Sequence, residues 1–278
     1  RSNRIKNGSV IIEKKEIRVQ FQNGKPVKPY FKESVETNKL IEEFMLLANQ
    51  FVCKYFNKEL GGIYRVHNYP DFEKLKAITT FLKTKDVNFN FNKKNLAQSI
   101  NELLKLVEKD DYKYLINQLV LHSMAKAEYS TKNIGHFGLG FENYSHFTSP
   151  IRRYPDILVH RTLNDLLSQK KTKVSNLESL CRQSSKKERF AVKAERDYMK
   201  FLLLWLVKDQ IGQSTTATIT SIKEWGIYAE LDKYLCEGMI SLYSLKSIGN
   251  FYHNKVKNEM VNKINGETFL HVPIKNRK

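Results

Sequence analysis

The 278-residue chain is short of cysteine and of acidic side chains, and it has no long apolar run. Its three cysteines are widely spaced and form no Cys-x-x-Cys pair, which argues against a disulfide framework and a zinc site and favours a reducing cytoplasm. The longest helical apolar run, residues 201–207, is far shorter than the roughly 18 residues of a membrane span. No apolar secretory signal is visible at the N-terminus. The sequence therefore predicts a cytoplasmic protein without a transmembrane segment.

Basic side chains outnumber acidic ones by 47 to 29, which gives a formal net charge of +18 at pH 7. This excess favours a polyanion or an anionic membrane surface as partner, and nucleic acid is the leading class. No basic amphipathic helix with an aromatic face supports the membrane surface. Lysine makes up 36 of the 47 in a chain also rich in Asn and Ile, so genomic base composition explains part of the excess. Arginine is the sharper signal, because six of the 11 lie within residues 152–196.

Apolar periodicity predicts a mainly helical chain after an extended start. Residues 10–12 and 17–21 alternate as strands do, and Asn23-Gly24 is a candidate hairpin turn. Helical spacing predicts helices over residues 35–55, 71–82, 96–107, 112–127, 156–167 and 177–207. A loop is predicted over residues 129–149.

The composition changes near residue 211, where we place a domain boundary. Residues 215–222 are β-branched and alternate, and residues 226–231 have the pattern of a second strand. The remainder of the chain has the size of a small five-stranded barrel of the OB kind. The predicted fold class is α+β, with a mainly helical portion followed by a small OB-fold β-barrel.

Residues 146–156 carry the densest set of residue types suited to binding. Ser149 and Pro150 form an N-cap and N1 pair, which predicts a helical turn with its free N–H groups and positive dipole end facing outward. Arg152 and Arg153 fall within that turn, and guanidinium groups bind phosphate oxygens bidentately. From the residues alone, a phosphate clamp and a solvated helix start are about equally supported.

The run over residues 144–163, Tyr-Ser-His-Phe-Thr-Ser-Pro-Ile-Arg-Arg-Tyr-Pro-Asp-Ile-Leu-Val-His-Arg-Thr-Leu, closely resembles the signature of the RNase II / ribonuclease R (RNB) family of processive 3′→5′ exoribonucleases. Residues 40–49, 124–139 and 193–198 resemble further segments of that family in the same order. The resemblance is to the bacterial ribonuclease R form. It implies the C-terminal part of an RNB-type catalytic domain over residues 1–210 and a truncated OB-fold RNA-binding domain of the ribosomal-protein-S-one type over residues 211–278.

The resemblance implies that single-stranded RNA threads through a channel and is hydrolysed from its 3′ end to 5′-mononucleotides with the help of magnesium. In that family a cluster of four aspartates upstream of the Leu-Ile-Glu-Glu-Phe helix holds the metal. Residues 1–49 contain no Asp, and Asp110-Asp111 has the wrong neighbours. The metal ligands are therefore expected to be missing from this chain. Because the chain also lacks an initiator Met, we expect it to begin inside a longer reading frame that encodes an upstream segment.

Site residues are assigned by their match to the family signature. Arg152 is expected nearest the scissile phosphate, with Arg153 as the alternative. One of Glu42 and Glu43 is expected to accept a hydrogen bond from a ribose hydroxyl, and the other to be solvated. Glu195 is expected either to contact the terminal ribose or to form an ion pair with a neighbouring Arg. The remaining channel candidates are His146, Thr148, Ser149, Tyr154 and Arg161.

The β-rich end offers aromatic side chains on which bases could stack. These candidates are Trp225, Tyr228, Phe251 and Tyr252, with Lys223 and Lys233 available to the phosphate backbone. Any one of the aromatic residues is alternatively part of the barrel core.

Two functions remain open. The first is part of an exoribonuclease, inactive until joined to the metal-binding part. The second is a catalytically inactive RNA-binding protein or a gene-decay remnant. Both predict single-stranded RNA as the partner of a monomeric chain, and the reading frame upstream would distinguish them.

Overall fold

The computed structural model describes residues 1–12, 16–33, 35–56, 61–83, 85–110, 112–170, 176–254, 259–264, 266 and 268–269. The chain divides into two compact units. The first consists of Arg1–Glu13, Glu33–Glu108 and Asn117–Lys193, and the second of Lys14–Lys32, Lys109–Ile116 and Ala194–Lys278.

The helices are α1 (Ser2–Lys6), α2 (Glu36–Val52), α3 (Phe72–Lys83), α4 (Leu96–Leu106), α5 (Lys113–Ser123), α6 (Tyr154–Leu167), α7 (Leu177–Val207) and α8 (Leu242–Leu245). The strands are β1 (Glu16–Gln22), β2 (Lys25–Lys32), β3 (Tyr64–Val66), β4 (Glu128–Ser130), β5 (Ala217–Lys223), β6 (Gly226–Leu231), β7 (Glu237–Ser241), β8 (Phe251–Asn254), β9 (Glu259–Asn262) and β10 (Thr268–Phe269). The mixed fold class is confirmed, and each predicted helix corresponds to an observed one. No helix in the described part of the chain is both long and apolar enough to cross a bilayer.

The first unit has a core built from segments far apart in the sequence. Its buried residues are Val52, Ile63, Tyr129, Leu158, Val159 and Cys181, with Phe147 and Leu163 among those packed against them. The short strands β3 and β4 pair antiparallel across this core, with Arg65 opposite Tyr129. The predicted loop after α5 therefore begins with a strand, because its partner strand lies elsewhere in the chain.

The expected strand over residues 10–12 is wrong. The N–H of Val10 donates to the carbonyl of Gly138 at 3.0 Å, and the N–H of Ile11 donates to Oδ1 of Asn101 at 2.9 Å. In this segment, hydrogen bonds to a loop carbonyl and to a side chain thus take the place of the strand-to-strand hydrogen bonds of a sheet. Gly140, at φ 67°, is required here because a Cβ would lie 2.8 Å from the backbone nitrogen of Ser9.

The second unit contains the predicted hairpin. β1 and β2 pair antiparallel, and Asn23 and Gly24 have positive φ values of 52° and 75°. Two consecutive residues with positive φ form the type of hairpin turn whose twist matches that of the paired strands.

The C-terminal strands form two three-stranded antiparallel sheets, β5–β6–β7 and β8–β9–β10. Their shared core consists of Ile222, Ile227, Leu245, Phe251 and Met260. Within the described residues, hydrogen bonding does not close these sheets into the expected five-stranded barrel. Residues 270–278 lie outside the described part of the chain.

Candidate nucleic-acid interface

A pocket of about 290 Å³ opens in the first unit between α2 and the loop before α6. The helix contributes Glu42 and Asn49 to its polar lining, and the loop contributes Thr148 and Arg153. The other lining residues are Asn38, Ile41, Met45, Leu46 and Tyr144. Three residues predicted from the sequence, Glu42, Thr148 and Arg153, therefore share one pocket.

The buried side chain of Asn49 joins α2 to this loop. It is 3% exposed, and its Oδ1 accepts hydrogen bonds from the N–H groups of Phe147 at 2.8 Å and Thr148 at 3.2 Å. Its Nδ2 donates to the Tyr144 hydroxyl at 3.1 Å. Because a buried amide is costly to leave unsatisfied, these bonds hold the loop against the helix.

Asp156 holds the other end of the loop. Its carboxylate is fully buried, and Oδ1 accepts hydrogen bonds from Nη2 of Arg153 and from the N–H of Ser149, both at 2.8 Å. Asp156 also lies in the first turn of α6, where the helix dipole favours a negative charge. The charge of Arg153 is therefore balanced inside the protein.

Three polar atoms at this place are buried and have no hydrogen-bond partner in the described part of the chain. They are Thr148 Oγ1, Arg153 Nε and Asp156 Oδ2. Buried polar groups are nearly always satisfied in folded proteins. The hydroxyl of Thr148 and the Nε–H of Arg153 can both donate to an anionic oxygen, so the pocket has donors available to a ligand.

Arg152 has different surroundings from Arg153. Its side chain is exposed and makes no ion pair or hydrogen bond with any residue that the structure describes. The guanidinium group is therefore available to an external anion, and its positive charge contributes to lowering the pKa of His146.

His146 is held neutral by its surroundings. Burial and, to a smaller extent, the nearby positive charges of Arg153 and Arg65 together lower its pKa to about 2. Its Nδ1 lies 2.9 Å from the Tyr129 hydroxyl. The neutral His146 ring therefore contributes a hydrogen bond to the loop and adds no positive charge.

Tyr129, the partner of His146, is itself contacted by an ion pair that was not predicted from the sequence. Nη1 and Nη2 of Arg65 donate to the carboxylate of Glu188 on α7 at 2.6 and 2.8 Å. The Arg65 guanidinium carbon lies 4.6 Å from the centre of the Tyr129 ring, a cation–π distance. This bidentate pair supports Tyr129 and, through it, His146.

The start of α6 agrees with the prediction. The Ser149 carbonyl accepts from the N–H groups of Arg152 at 3.3 Å and Arg153 at 3.1 Å, which makes a separate turn. The helix begins only at Tyr154, with Pro155 in its first turn. Proline has no N–H to satisfy and is tolerated at that place. The turn at Ser149 and the later helix therefore agree with the predicted helical turn at Ser149-Pro150 and with the predicted helix over residues 156–167, which starts two residues earlier than expected.

The other candidates on this segment lie outside the pocket lining. Tyr154 is 48% exposed at the start of α6, and Arg161 is exposed on the same helix. The backbone N–H of Ser149 is used by Asp156. Their proposed roles in binding RNA stay predictions.

Glu42 and Glu43 face different surroundings. Glu43 receives hydrogen bonds from Nη2 of Arg4 at 2.6 Å and from Nε of Arg4 at 3.3 Å. The Arg4 hydrogen bond lowers the pKa of Glu43. The expectation that the second glutamate is solvated is wrong, since it forms a partly buried ion pair, while Glu42 lines the pocket.

The candidates in the second unit divide by exposure. Trp225 is 57% exposed and its Nε1 donates to the Tyr228 hydroxyl at 3.2 Å, while Tyr252 is 42% exposed. Phe251 is 7% exposed and packs against the core of the two sheets. Its proposed stacking role is therefore corrected to a core role. Glu195 is exposed on α7 and pairs with no cation among the described residues.

The described residues do not fit a catalytic metal ion. Among them, no group of three or more His, Cys, Asp or Glu side chains is placed to hold one. Glu42 contributes a carboxylate to the pocket lining, and the nearby carboxylate of Asp156 accepts a hydrogen bond from Arg153. No chemical step through a metal is derived for these residues.

Asn49, Arg65, Tyr129, Asp156 and Glu188 were missed as site residues. A signal existed for Asp156, because it follows Arg153 by three residues at a helix start, where opposite charges pair. None existed for Arg65 and Glu188, which are 123 positions apart. Only folding brings them together.

Comparison with known proteins defines first a class and then a family. Residues 1–169 match the model of the RNB domain. The chain therefore falls in the class of proteins with an RNB domain and, because the match covers more than half of the chain, it belongs to the RNB family. It is similar to ribonuclease R of Thermotoga maritima, at 32% identity over an alignment that covers 97% of this chain and 39% of the relative.

Two solved structures are similar. Mycoplasma genitalium RNase R in complex with ribose-methylated single-stranded RNA has a TM-score of 0.88 and 25% identity, covering 98% of this chain and 44% of that one. Yeast Ssd1, described as a pseudonuclease, has a TM-score of 0.61 and 20% identity, covering 83% and 29%. The chain thus spans about two fifths of the length of these two ribonuclease R proteins, and its fold also occurs in a protein described as a pseudonuclease.

Proposed function

We propose that this chain is the C-terminal part of a ribonuclease R-like 3′→5′ exoribonuclease that degrades single-stranded RNA to 5′-mononucleotides. The observation that carries the proposal is the pocket, which unites Glu42 with Thr148 and Arg153 from distant segments of an RNB domain. Residues 211–278 act as the OB-type RNA-binding domain in this proposal.

The contacts support distinct roles for the two arginines. Arg153 lines the pocket and is oriented by buried Asp156, so it shapes the site. Arg152 is exposed and its side chain pairs with no described residue, so it is the one that neutralises the scissile phosphate. Glu42 accepts a hydrogen bond from a ribose hydroxyl, which distinguishes RNA from DNA.

The chemistry is proposed to need magnesium bound by aspartates of an upstream segment, since the described residues offer no such group. This chain alone is then inactive. The complete enzyme works as a monomer in the cytoplasm in this proposal.

The test begins with the isolated chain and single-stranded RNA labelled at its 5′ end, with magnesium. We expect binding without shortening of the RNA. Processive shortening from the 3′ end would contradict the claim that the reaction centre is incomplete.

The second arm replaces the matched span of Thermotoga maritima ribonuclease R with this chain. The fused protein is expected to shorten RNA, and Arg152→Ala in it should lose activity by about two to three orders of magnitude, as for removal of one group that stabilises charge in the transition state. Arg182→Ala, a highly exposed arginine on α7, is the matched control and should retain activity. A fused protein that folds and binds RNA but never cleaves it would favour the alternative, an inactive RNA-binding protein or remnant.

A further inference from the structure

The hydroxyl of Tyr129 is a buried polar group with a single partner in the described part of the chain. The side chain is 5% exposed, and its hydroxyl oxygen lies 2.9 Å from Nδ1 of His146. Burial raises the pKa of Tyr129 to about 12, so the hydroxyl keeps its hydrogen at neutral pH. A buried hydroxyl that does not donate its hydrogen is costly. Nδ1 of His146 is therefore the acceptor of this hydrogen.

The direction of this hydrogen bond fixes where the His146 ring carries its own hydrogen. Burial and the nearby positive charges of Arg153 and Arg65 lower the pKa of His146, so the ring is neutral. A neutral imidazole has one N–H group, and the nitrogen that accepts a hydrogen bond is the other one. Since Nδ1 accepts from Tyr129, the hydrogen of the ring is on Nε2.

Nε2 of His146 is open to solvent. Among the residues that the structure describes, it has no hydrogen-bond partner. It is also not sealed from solvent, whereas Thr148 Oγ1 and Arg153 Nε of the same loop are sealed without a partner. The side chain as a whole is partly exposed. The Nε2–H group is therefore a hydrogen-bond donor available to a ligand.

The surroundings of His146 are suited to an anionic oxygen. Arg152 and Arg153 lie near enough for their positive charges to act on the His146 ring. Guanidinium groups attract phosphate, and phosphate oxygens accept several hydrogen bonds at once. An uncharged N–H donor beside two arginines therefore fits an oxygen of the RNA backbone, to which phosphate contacts are made by neutral donors as well as by cations.

Tyr129 is held in the position from which it donates. Its backbone N–H donates to Oγ of Ser185 on α7 at 2.9 Å. The guanidinium group of Arg65 lies over its ring and is itself fixed by two hydrogen bonds to Glu188, also on α7. Ser185, Arg65 and Glu188 are thus positioning residues, which act on His146 through Tyr129.

We propose that Tyr129 holds His146 as the Nε2–H tautomer and that this N–H donates to a phosphate oxygen of bound RNA. This rests on the proposed function, because the phosphate is that of the RNA substrate. His146 then contributes direction without charge, while Arg152 beside it contributes charge. The two residues are expected to differ in how their removal changes the salt dependence of binding.

The first measurement is the tautomer of His146 in the isolated chain, by nitrogen-15 NMR with the ring signals assigned through bonds from the backbone of residue 146. We expect a protonated Nε2 and an unprotonated Nδ1 at pH 7. Tyr129→Phe should give a mixture of tautomers. Tyr144→Phe is the matched control, because this buried tyrosine is bonded to Asn49 instead, and it should leave the tautomer unchanged. A hydrogen on Nδ1 of the wild-type ring, alone or together with one on Nε2, would overturn the proposal.

The second measurement is the affinity for single-stranded RNA, by fluorescence anisotropy. His146→Leu is expected to weaken binding by about tenfold, as for loss of one hydrogen bond to a charged group. The slope of log K against log salt should stay unchanged, because a neutral donor releases no counterion. His146→Gln, which keeps an N–H donor at the end of the side chain, should restore most of the affinity. Wild-type affinity in His146→Leu, or no rescue by His146→Gln, would contradict a donor role.

The third measurement needs no substitution and adds the same RNA to the labelled wild-type chain. The Nε2 signal of His146 should shift, and that of His122, exposed on α5, should stay in place. RNA that binds without changing the His146 signals would overturn this inference and leave the proposed function intact. Absence of RNA binding would overturn both. A shift at His146, together with a folded fusion that never cleaves RNA, would count against the proposed activity alone.

Discussion

At the scale of single residues, neighbours of the same type have different surroundings. Arg153 is paired with buried Asp156 and Glu43 with Arg4, whereas Arg152 and Glu42 are left for external groups. A charge that is already balanced by a buried partner is held in place by it, and removing the partner would leave an unpaired buried charge. Arg152 and Glu42, which have no such partner among the described residues, are therefore the better probes of binding.

Two partly buried histidines, His136 and His146, make stability depend on pH. Burial lowers the pKa of His136 to about 3 and that of His146 to about 2, against about 6.5 in an unfolded chain. Below pH 6.5 the unfolded state binds protons that the folded state does not, so their stabilising effect is complete above that pH and is lost as the pH falls.

The free energy of unfolding is expected to fall from pH 7.5 to pH 5 by about 2 kcal/mol for each of these histidines. Urea unfolding at the two pH values measures it. His136→Gln combined with His146→Gln should remove most of the difference. Equal stability at both pH values for the wild-type chain would show that these rings are not held neutral.

At the scale of elements, the two C-terminal sheets depend on a small shared core. Met260 on β9 is fully buried among Ile222, Ile227 and Phe251, whereas Met239 on β7 is 51% exposed. Strand alternation indicates that one face is buried but not which aromatic belongs to it. This explains why Phe251 was a stacking candidate before its position in the core was known.

Met260→Ala is expected to destabilise the second unit by about 2–5 kcal/mol through loss of buried surface and the cavity left behind. Met239→Ala, the matched control, should change stability by less than about 0.5 kcal/mol. Denaturant unfolding followed by tryptophan fluorescence measures both, since the two tryptophans of the chain, Trp205 and Trp225, lie in this unit. Equal effects of the two substitutions would contradict a core at Met260.

At the scale of the whole molecule, the net charge of +18 supports binding to a polyanion without saying where. Diffuse lysine charge and a localised arginine contact both weaken RNA binding as salt rises, because counterions are released on binding. They are distinguished by removing one charge at a time.

Arg152→Ala is expected to weaken binding of single-stranded RNA at low salt and to reduce the slope of log K against log salt by about 0.7, the value for one phosphate contact. Fluorescence anisotropy with labelled RNA between about 50 and 200 mM salt measures the slope. Arg182→Ala, equal in charge and highly exposed on α7, should alter the slope less. Identical slopes for the two variants would mean that Arg152 acts only through net charge.

Local pattern was enough to predict the helices and the Asn23-Gly24 hairpin, because apolar spacing and turn chemistry involve residues close in sequence. The signature over residues 144–163 was enough to identify the family, which the match to the RNB domain confirms. The helical turn at Ser149 was predicted as well, but the bonds that hold it were not, because Asp156 binds back to Ser149 and Arg153 only once the helix has formed.

The amino-acid sequence by itself determined the family, the α+β class and which segment carries the arginines, since these depend on residue type and local order. Tertiary structure alone decided that Asn49 joins α2 to the loop, that Arg65 pairs with Glu188, that Phe251 is buried and that Phe44 on α2 is exposed. These contacts join residues far apart in the chain, and their partners are chosen by packing and by the need to satisfy buried polar groups, which local pattern does not encode.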